Sequence, residues 1–283
     1  MYNKKVRYEY ITMEESLPLF VESVGYNTQE LNFRRPGGYP YYHWLQTIEG
    51  EGRFSFDDQE YILTKGRGIL LKPFTPHTYL ATSKVWSTIY VTFGGQSAES
   101  ILESLNMDSS TLYTNLGDIQ SEEIIKEMLL KIESDTEFSK LDLSGHLYNF
   151  IMKLRKYGKM NNQPSLSHLY DKVRHIVDWL EISYGEDITL DDMASHLNVS
   201  SQYLNRLFQN TFKVSPYTFL IQLRIRKAKE ILLESPKLPL KNVAILTGFN
   251  DVSYFVATFK RKEGITPKKY RDIFALKKGR NAK

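Results

Sequence analysis

Residues 240–267 read LKNVAILTGFNDVSYFVATFKRKEGITP, and residues 190–216 read LDDMASHLNVSSQYLNRLFQNTFKVSP. The two stretches match in spacing: a leucine precedes an alanine by 4 residues, a tyrosine precedes a phenylalanine by 5, and that phenylalanine precedes a proline by 8. Only the step from alanine to tyrosine differs, with 9 residues in the earlier stretch and 10 in the later one. Because a turn tolerates one extra residue, the two stretches indicate a structural repeat.

Each copy of the repeat predicts a helix, a short turn and a second helix. The turns carry Asn198 and Gly248, two residue types that tolerate a left-handed backbone. Side chains that cap helices stand where the helices should start: Thr189 with Asp192, Ser200, and Asp251. Each copy ends on a hydroxyl residue followed by proline, which is typical of the first turn of a further helix.

Residues 216–235, PYTFLIQLRIRKAKEILLES, predict one helix that joins the two copies. Apolar residues recur there near helical spacing, and basic residues lie between them, so we expect a helix that is apolar towards both copies and basic elsewhere. Two helix-turn-helix units on a rigid spacer suit DNA, because their second helices fit successive major grooves about 34 Å apart. The alternative is a helical bundle whose internal similarity is accidental.

The distribution of charge supports contact of the second half with a polyanion. The chain has 283 residues, enough for two domains. Residues 1–165 hold 17 Lys and Arg against 21 Asp and Glu, whereas residues 166–283 hold 20 against 12. An acidic first part and a basic second part predict that only the second part meets nucleic acid.

Composition excludes several other classes of protein. The sequence has no cysteine, which excludes disulfides, thiolate metal sites and a cysteine nucleophile such as the one that DNA-repair alkyl transfer requires. No apolar run approaches the ~20 residues that span a bilayer, and the first residues lack the apolar core of a signal peptide. We therefore expect a cytoplasmic protein without contact with a membrane.

The second copy of the repeat resembles the signature of the AraC/XylS family of bacterial transcription regulators. The matching residues are Ala244, Gly248, Phe249, Ser253, Tyr254, Phe255, Phe259, Lys260, Gly264, Thr266, Pro267, Tyr270 and Arg271. The resemblance implies a regulator that binds double-stranded DNA and works with RNA polymerase, and it implies neither an enzyme nor a bound cofactor.

Two sets of outward positions are candidates for contacts with bases. In the first helix-turn-helix copy, burial of leucines turns Gln202, Asn205 and Arg206 outward. Asparagine and glutamine pair with the edge of adenine and arginine with that of guanine. The three positions also match those that the family uses for base contacts. In the second unit the outward residues are Val252, Ser253, Tyr254 and Ala257. Ala257 stands where the family commonly has a basic residue, and its side chain has no hydrogen-bond donor or acceptor. Most base specificity is therefore expected in the first helix-turn-helix copy.

A third set of residues predicts contacts with phosphates. We assign this role to Ser201, Lys260, Arg261, Lys262 and Lys268, with Lys269 beside them. The aromatic residues Tyr254, Phe255 and Phe259 are expected to pack the second recognition helix onto its neighbours. The alternative is that these basic residues form an ordinary solvent-exposed helix face and contact no phosphate.

The first half of the chain predicts a different class of structure. Short alternating segments separated by Gly, Asp and Pro turns occupy residues 31–95 and favour a small β-barrel or sandwich. The stretch RPGGYPYYHWLQTIEGEG, residues 35–52, resembles the cupin-like sensor domain of AraC-type sugar regulators. The expected fold is thus α+β, a cupin-like β-barrel followed by an all-α domain with two helix-turn-helix motifs joined by a long helix.

The expected effector of this sensor is a small polar molecule, and the frequent tyrosines favour a carbohydrate. By resemblance, Arg35, Tyr79 and Tyr90 fall at ligand-contact positions. Three further candidates rest on their chemistry alone, and for each of them a packed core residue is the alternative: His43, Trp44 and His77. Trp86 is a candidate on the same ground.

A cupin fold also raises the alternative of a metal-dependent enzyme with an accessory helical domain. Only His43 and His77 lie in predicted strands, and Tyr41 and Leu45 flank His43 where a His-x-His pair would need histidine. Two imidazoles alone make a poor site for zinc or iron, so no metal is expected.

Residues 121–157 predict two amphipathic helices. In the family such helices pair two sensor domains, so we expect a homodimer; the alternative is packing onto the sensor of the same chain. The polar stretch NNQPSLS predicts a linker. The resulting organisation is a sensor over residues 1–117, a helical dimerisation segment over 118–160, a linker over 161–167 and a DNA-binding domain over 168–283.

Overall fold

The computed structural model describes residues 4–7, 17–114, 116–134, 138–161 and 163–278. The chain divides into two compact units, Met1–His168 and Leu169–Lys283. The first unit is rich in β-sheet and the second is helical, so the predicted order of a sheet domain followed by a helix-turn-helix domain is confirmed.

The first unit contains nine strands among its described residues, in one antiparallel sheet. Their bounds are β1 Lys4–Arg7, β2 Phe20–Asn27, β3 Phe33–Arg35, β4 Tyr42–Phe56, β5 Gln59–Thr64, β6 Gly68–Leu71, β7 His77–Gly94, β8 Thr111–Thr114 and β9 Lys159–Met160. The pairing path runs β1-β2-β7-β4-β6-β8-β9, with β3 added to β7 and β5 added to β4. The sheet is not closed along this path.

The long strands β4 and β7 form the centre of the sheet. They pair from Tyr42 opposite Phe93 to Phe56 opposite His77, and the register shifts twice around Gly50. Such bulges bend a strand, and the backbone of Gly50, with φ of +75°, comes so close to Val85 that a Cβ atom would lie 1.7 Å from its carbonyl oxygen. The two halves of β4 therefore have different partners, β6 for the first and β5 for the second.

Among its described residues, the first unit also contains the α-helices α1 Ala98–Ser104, α2 Ser121–Ser134 and α3 Ser139–Tyr157 and a 3-10 turn at Gly117–Ile119. The apolar faces of α2 and α3 pack onto the sheet of the same chain, in a core that includes Ile125, Met128, Leu147 and Phe150. The sequence left two explanations for the apolar faces of α2 and α3, dimerisation or packing onto the sensor of the same chain. The structure shows that they pack onto the sensor.

The second unit consists of helices α4 Leu166–Ser183, α5 Leu190–His196, α6 Ser201–Phe212, α7 Pro216–Glu234, α8 Leu240–Leu246, α9 Val252–Glu263 and α10 Pro267–Lys278. Helix α4 starts within the stretch that the sequence predicts as a linker. The repeat appears as two helix-turn-helix units, α5–α6 and α8–α9.

The predicted caps and turns of these units are confirmed. Thr189 and Asp192 form a reciprocal capping box at the start of α5. The side chains of Ser200 and Asp251 accept the third backbone N–H of α6 and of α9, respectively. Among the turn residues, Asn198 has φ of 54° and Gly248 has φ of 76°.

Two hydrophobic cores share the long helix α7. One core joins α4, α5 and α6 to Leu220 and Leu223, and the other joins α8 and α9 to Ile221, Ile225 and further residues of α7. The expectation that α7 is basic wherever it is not apolar is wrong at Arg224, which is only 5% exposed.

Candidate nucleic-acid interface and effector pocket

Helix α6 presents a polar face because its apolar side is fully used in packing. Leu204, Leu207 and Phe208 are buried, and they fix α6 on the core of the first helix-turn-helix unit. Gln202 and Arg206 are exposed as a result, as the sequence predicts. A helix with one buried side and an exposed hydrogen-bonding side has the form that a major groove accepts.

The side chains on this face of α6 are already partly ordered. Asn205 Nδ2 donates to the Ser201 carbonyl oxygen at 3.0 Å, which uses one of its two amide N–H groups. The Arg206 guanidinium lies 5.3 Å from the ring centroid of Tyr203. Ser201 Oγ donates to Asp191 Oδ1 at 2.7 Å, so a carboxylate stands next to the hydroxyl that the sequence assigns to a phosphate.

Helix α9 buries Phe255, Thr258 and Phe259, and its outward positions are mostly small or apolar. Ser253, Tyr254 and Ala257 are exposed and Val252 is half-buried. Tyr254 makes one of the predicted packing contacts, since its ring lies 6.0 Å from that of Phe249, but it is 44% exposed and lies outside the core. The exposed face of α9 therefore offers few side-chain hydrogen-bonding groups.

Cations surround the junction of α9 and α10. Lys260, Arg261 and Lys262 form the last turn of α9, Lys268 and Lys269 lie in the first turn of α10, and all five are exposed. The cations of α7 differ, because Lys227 pairs with Glu181 and Glu230, and Lys229 pairs with Glu263. All five cations remain accessible to an anionic partner, and Lys260, Arg261 and Lys262 also interact favourably with the C-terminus of α9.

A cavity of about 210 Å³ lies within the sheet of the first unit. Four of the seven residues that the sequence offers as effector contacts line it: Arg35, His43, Tyr79 and Tyr90. The other lining residues are Ser23, Asn27, Glu30, Leu31, Phe33, Tyr39, Leu45 and Thr92. They come from β2, β3, β4 and β7 and the segments beside them, so strands distant in sequence build one site.

The remaining candidates lie elsewhere. Trp44 does not line the cavity and packs instead against Tyr113 and Phe150, beneath the helices, because successive residues of a strand face opposite sides. His77 stands behind the cavity wall, with its ring centroid 5.9 Å from that of His43. Trp86 is buried in a separate core and donates to Thr47 Oγ1.

The histidines of this region are held neutral. Burial, with smaller contributions from the nearby His77 and Arg35, lowers the pKa of His43 to about 3. Burial also lowers the pKa of His77, and it raises the pKa of the Tyr79 phenol, with Glu30 adding to this effect. Neutral imidazole and phenol groups both donate and accept hydrogen bonds, which suits hydroxyl groups.

Arg35 places its guanidinium between aromatic rings at the cavity. Its guanidinium lies over the rings of Tyr39 and Phe33, with Cζ 4.1 Å and 4.8 Å from their centroids. Within the described part of the chain, its buried Nη1 atom and His43 Nδ1 have no hydrogen-bond partner. A buried donor without a partner is costly, so a ligand that supplies an acceptor would be favoured here.

Sequence reasoning missed the polar wall of β2. Glu30 accepts hydrogen bonds from Asn27 and Thr88, and Ser23 shares a hydrogen bond with Thr92. The wall lies before the stretch that the sequence marks as strands, and β2 is almost entirely buried, so it has no polar alternation. Its one signal is the spacing of Ser23 and Asn27, which places both side chains on one face of a strand.

Neither a metal centre nor a membrane span is found in the described ranges. No cluster of three or more His, Asp or Glu side chains there is placed to hold a metal ion. Arg35 also stands beside the His43 and His77 pair, and its charge opposes a cation. No helix in those same ranges combines the length and the apolar character that crossing a bilayer requires.

Comparison with known proteins assigns both units. An AraC-like ligand binding domain matches residues 20–151, and a helix-turn-helix domain matches residues 193–273. The C-terminal domain of the two-component response regulator yesN from Fusobacterium nucleatum is 36% identical, covers 36% of this chain and 98% of its own, and has a TM-score of 0.34.

Two regulators are similar along most of the chain. The Msm operon regulatory protein of Streptococcus mutans is 26% identical over 230 residues, which cover 79% of this chain and 81% of that protein. The lactose operon transcription activator of Staphylococcus xylosus is 22% identical over 232 residues, which cover 81% and 82%. With a matching ligand domain, a matching helix-turn-helix domain and operon regulators as relatives, the chain is a DNA-binding regulator rather than an enzyme, and it belongs to the AraC family of transcription regulators.

Proposed function

We propose that this regulator senses a small carbohydrate in the cavity of its first unit and activates genes for carbohydrate use. The observation that carries the proposal is the buried Nη1 atom of Arg35, which has no hydrogen-bond partner among the described residues, beside neutral His43 in a cavity of about 210 Å³. This volume is below the roughly 300–1,000 Å³ of pockets for drug-sized ligands, so the effector is small.

The lining chemistry supports a sugar over a fatty or aromatic effector. Tyr79 and Tyr90 offer aromatic faces and hydroxyl groups, Arg35 and His43 can bond sugar hydroxyls, and Glu30 can accept from them. The two relatives support the same conclusion, since one is named for the lactose operon and the other for the Msm operon. Trp44 and His77 have no part in the proposed contacts.

For DNA, the proposal places α6 and α9 in successive major grooves, about 34 Å apart on one face of the duplex. Gln202, Asn205 and Arg206 read bases from α6. Helix α9 contributes fewer base contacts, through Val252, Ser253 and Tyr254. The phosphate contacts are assigned to Lys260, Arg261, Lys262 and Lys268, with a weaker one at Ser201.

We extend the proposal to a homodimer of cupin-like sensors that acts in the cytoplasm with RNA polymerase. Leu141, Gly145 and Tyr148 recur on one side of α3, and Leu141 and Tyr148 remain 56% and 48% exposed. This exposed stripe, rather than the buried face, supports pairing of two copies. The effector acts by binding one arrangement of the dimer more tightly than another.

A thermal-shift measurement with a panel of mono- and disaccharides tests the effector. A ligand present at about 100 times its Kd stabilises the folded domain by about 2.7 kcal/mol, which a shift in Tm reports. We expect Arg35→Ala to abolish the shift and Arg34→Ala, an exposed neighbour outside the cavity, to preserve it. A shift that survives Arg35→Ala contradicts the assigned cavity, and a panel without any shift contradicts a carbohydrate effector.

A further inference from the structure

Arg224 is a buried cation in the middle of α7, where the sequence predicts an exposed one. The residue is 5% exposed. Its Nε atom donates to the Tyr184 carbonyl oxygen at 2.8 Å, and Nη2 donates to the Glu186 carbonyl oxygen at 2.6 Å. Both carbonyls belong to the segment between α4 and α5, so these bonds tie α7 to the first helix-turn-helix unit.

The other side of the same guanidinium contacts the second helix-turn-helix unit. Gly248, in the turn between α8 and α9, lies so close that a Cβ atom would be 2.7 Å from Arg224 Cζ and 2.6 Å from the Tyr184 carbonyl oxygen. The ring of Phe249 lies 6.0 Å from Arg224 Cζ. Arg224 is therefore enclosed between the α4–α5 segment and the turn of the second unit.

The hydrogen bonds of Arg224 constrain the orientation of the two helix-turn-helix units, which their apolar cores alone do not. The core on each side of α7 is apolar, and apolar contact has no preferred direction. A guanidinium presents its N–H groups in a fixed plane, so two bonds from one group fix the orientation of the acceptor segment. Burial of an arginine is costly unless such bonds compensate it, which argues against accidental placement.

We propose that Arg224 is a positioning residue that fixes α6 relative to α9 and thereby sets the base-pair spacing that the protein accepts. The inference rests on the proposed function in one respect, namely that both helices enter the same duplex. A change of one base pair rotates one half of the site by roughly 34° relative to the other. A rigid pair of helices cannot follow that rotation, whereas a loosened pair can.

The first test measures spacing preference on a duplex that the wild-type protein selects from a randomised library. One or two base pairs are inserted between the segments that α6 and α9 contact, and affinity is compared with the original spacing. For Arg224→Met we expect the ratio of the two affinities to fall about tenfold, the effect of losing a charge-assisted hydrogen bond. Arg226→Met, an exposed arginine two residues further along α7 that pairs with Glu181, should leave the ratio unchanged.

Simple destabilisation cannot imitate this result, because a smaller folded fraction lowers the affinity for every duplex equally and leaves the ratio unchanged. Arg224→Lys guards against a variant that fails to fold. It keeps the charge but presents a single ammonium, so an intermediate ratio is expected. An unchanged ratio in Arg224→Met and Arg224→Lys overturns the proposal.

The second test requires no DNA and separates this inference from the proposed function. The chain has no cysteine, so Asn210→Cys on α6 and Ala257→Cys on α9 give two unique sites for spin labels. We expect a broader distance distribution with Arg224→Met than with Arg226→Met, and equal distributions overturn the positioning role. If wild type itself ignores spacing while the distribution broadens, the two-groove arrangement fails and the positioning role of Arg224 is retained.

Discussion

The two helix-turn-helix units are alike where they are buried and different where they meet solvent. Ala194 and Ala244 occupy the same buried place in the two units, and so do Phe208 and Phe259, which are fully buried. The caps differ in residue type but perform the same task, since Ser200 and Asp251 both accept the third N–H of the following helix. The two helix-turn-helix units therefore share the same buried packing and the same capping hydrogen bonds.

On the exposed side the units differ in the chemistry that they offer. Helix α6 presents Gln202 and Arg206 and has no basic residue in its last turn, whereas the last turn of α9 consists of Lys260, Arg261 and Lys262 with Glu263. Side-chain amides and guanidinium groups can discriminate base edges, while clustered cations attract any phosphate. Under the proposed function, we expect a division of labour, with sequence readout in the first helix-turn-helix unit and affinity in the second.

The largest effect should come from the shared interior, which tests whether the units are equal as scaffolds. We expect Phe208→Ala and Phe259→Ala each to lower the free energy of unfolding by about 3–5 kcal/mol, because each leaves a cavity in a packed core. Urea unfolding followed by helical circular dichroism measures the change. Tyr254→Ala, on the exposed face of α9, should cost less than about 1 kcal/mol. A large loss there would restore the packing role first assigned to Tyr254.

The next effect concerns the readers on α6. Asn205→Ala or Arg206→Ala should weaken binding to a selected duplex by about 1–3 kcal/mol and relax preference at one base each. Competition binding against a scrambled duplex measures both quantities. The control is Gln209→Ala, an exposed residue further along α6. Equal losses on selected and scrambled DNA would mean that Asn205 and Arg206 touch only the backbone, and the division of labour would be wrong.

The parts of this molecule that sequence predicts best are those governed by local rules. Caps, left-handed turn residues and helical spacing act within a few residues, so Ser200, Asn198 and Asp251 were assigned correctly. Helix α7 followed the same rules, except that a helical pattern cannot reveal that a basic residue meets carbonyls some 40 positions earlier in the chain. The burial of Arg224 therefore does not follow from the helical pattern of α7.

The effector pocket shows the same limit more strongly. Strand alternation places His43 and Trp44 on opposite faces, but which face borders the cavity depends on how the strands pair. The polar wall combines Ser23 and Asn27, from a strand without polar alternation, with Glu30 just beyond its end, so only the assembled sheet reveals it. Resemblance to the family performed better, since Arg35, Tyr79 and Tyr90 all line the cavity.

A smaller effect tests the affinity that the comparison assigns to α9. Lys260→Ala or Lys262→Ala should weaken binding to every duplex similarly and reduce the dependence of log K on log salt by about one unit per phosphate contact. Fluorescence anisotropy over a series of salt concentrations gives the slope. Lys84→Ala removes the same charge from an exposed site in the first domain and should leave the slope unchanged. An unaltered slope in the α9 variants would assign those cations to solvent.

The smallest effect is a gain, and it addresses the asymmetry between the two units directly. Ala257 is exposed on α9, three residues after Tyr254, so both positions lie on one face of the helix. An arginine at this position adds donors that can reach a base edge or a phosphate. We expect Ala257→Arg to tighten binding by about 1 kcal/mol to duplexes with guanine roughly one helical turn from the α6 contacts.

Selection from randomised duplexes with wild type, Ala257→Arg and Ala257→Met separates the possible outcomes. The methionine variant adds length without a donor, so a preference for guanine that appears only with arginine identifies a base contact. A phosphate contact would instead tighten binding to all sequences and steepen the salt dependence. If wild type already selects sharply at both positions, α9 reads bases through Val252, Ser253 or Tyr254, and the two units share the readout equally.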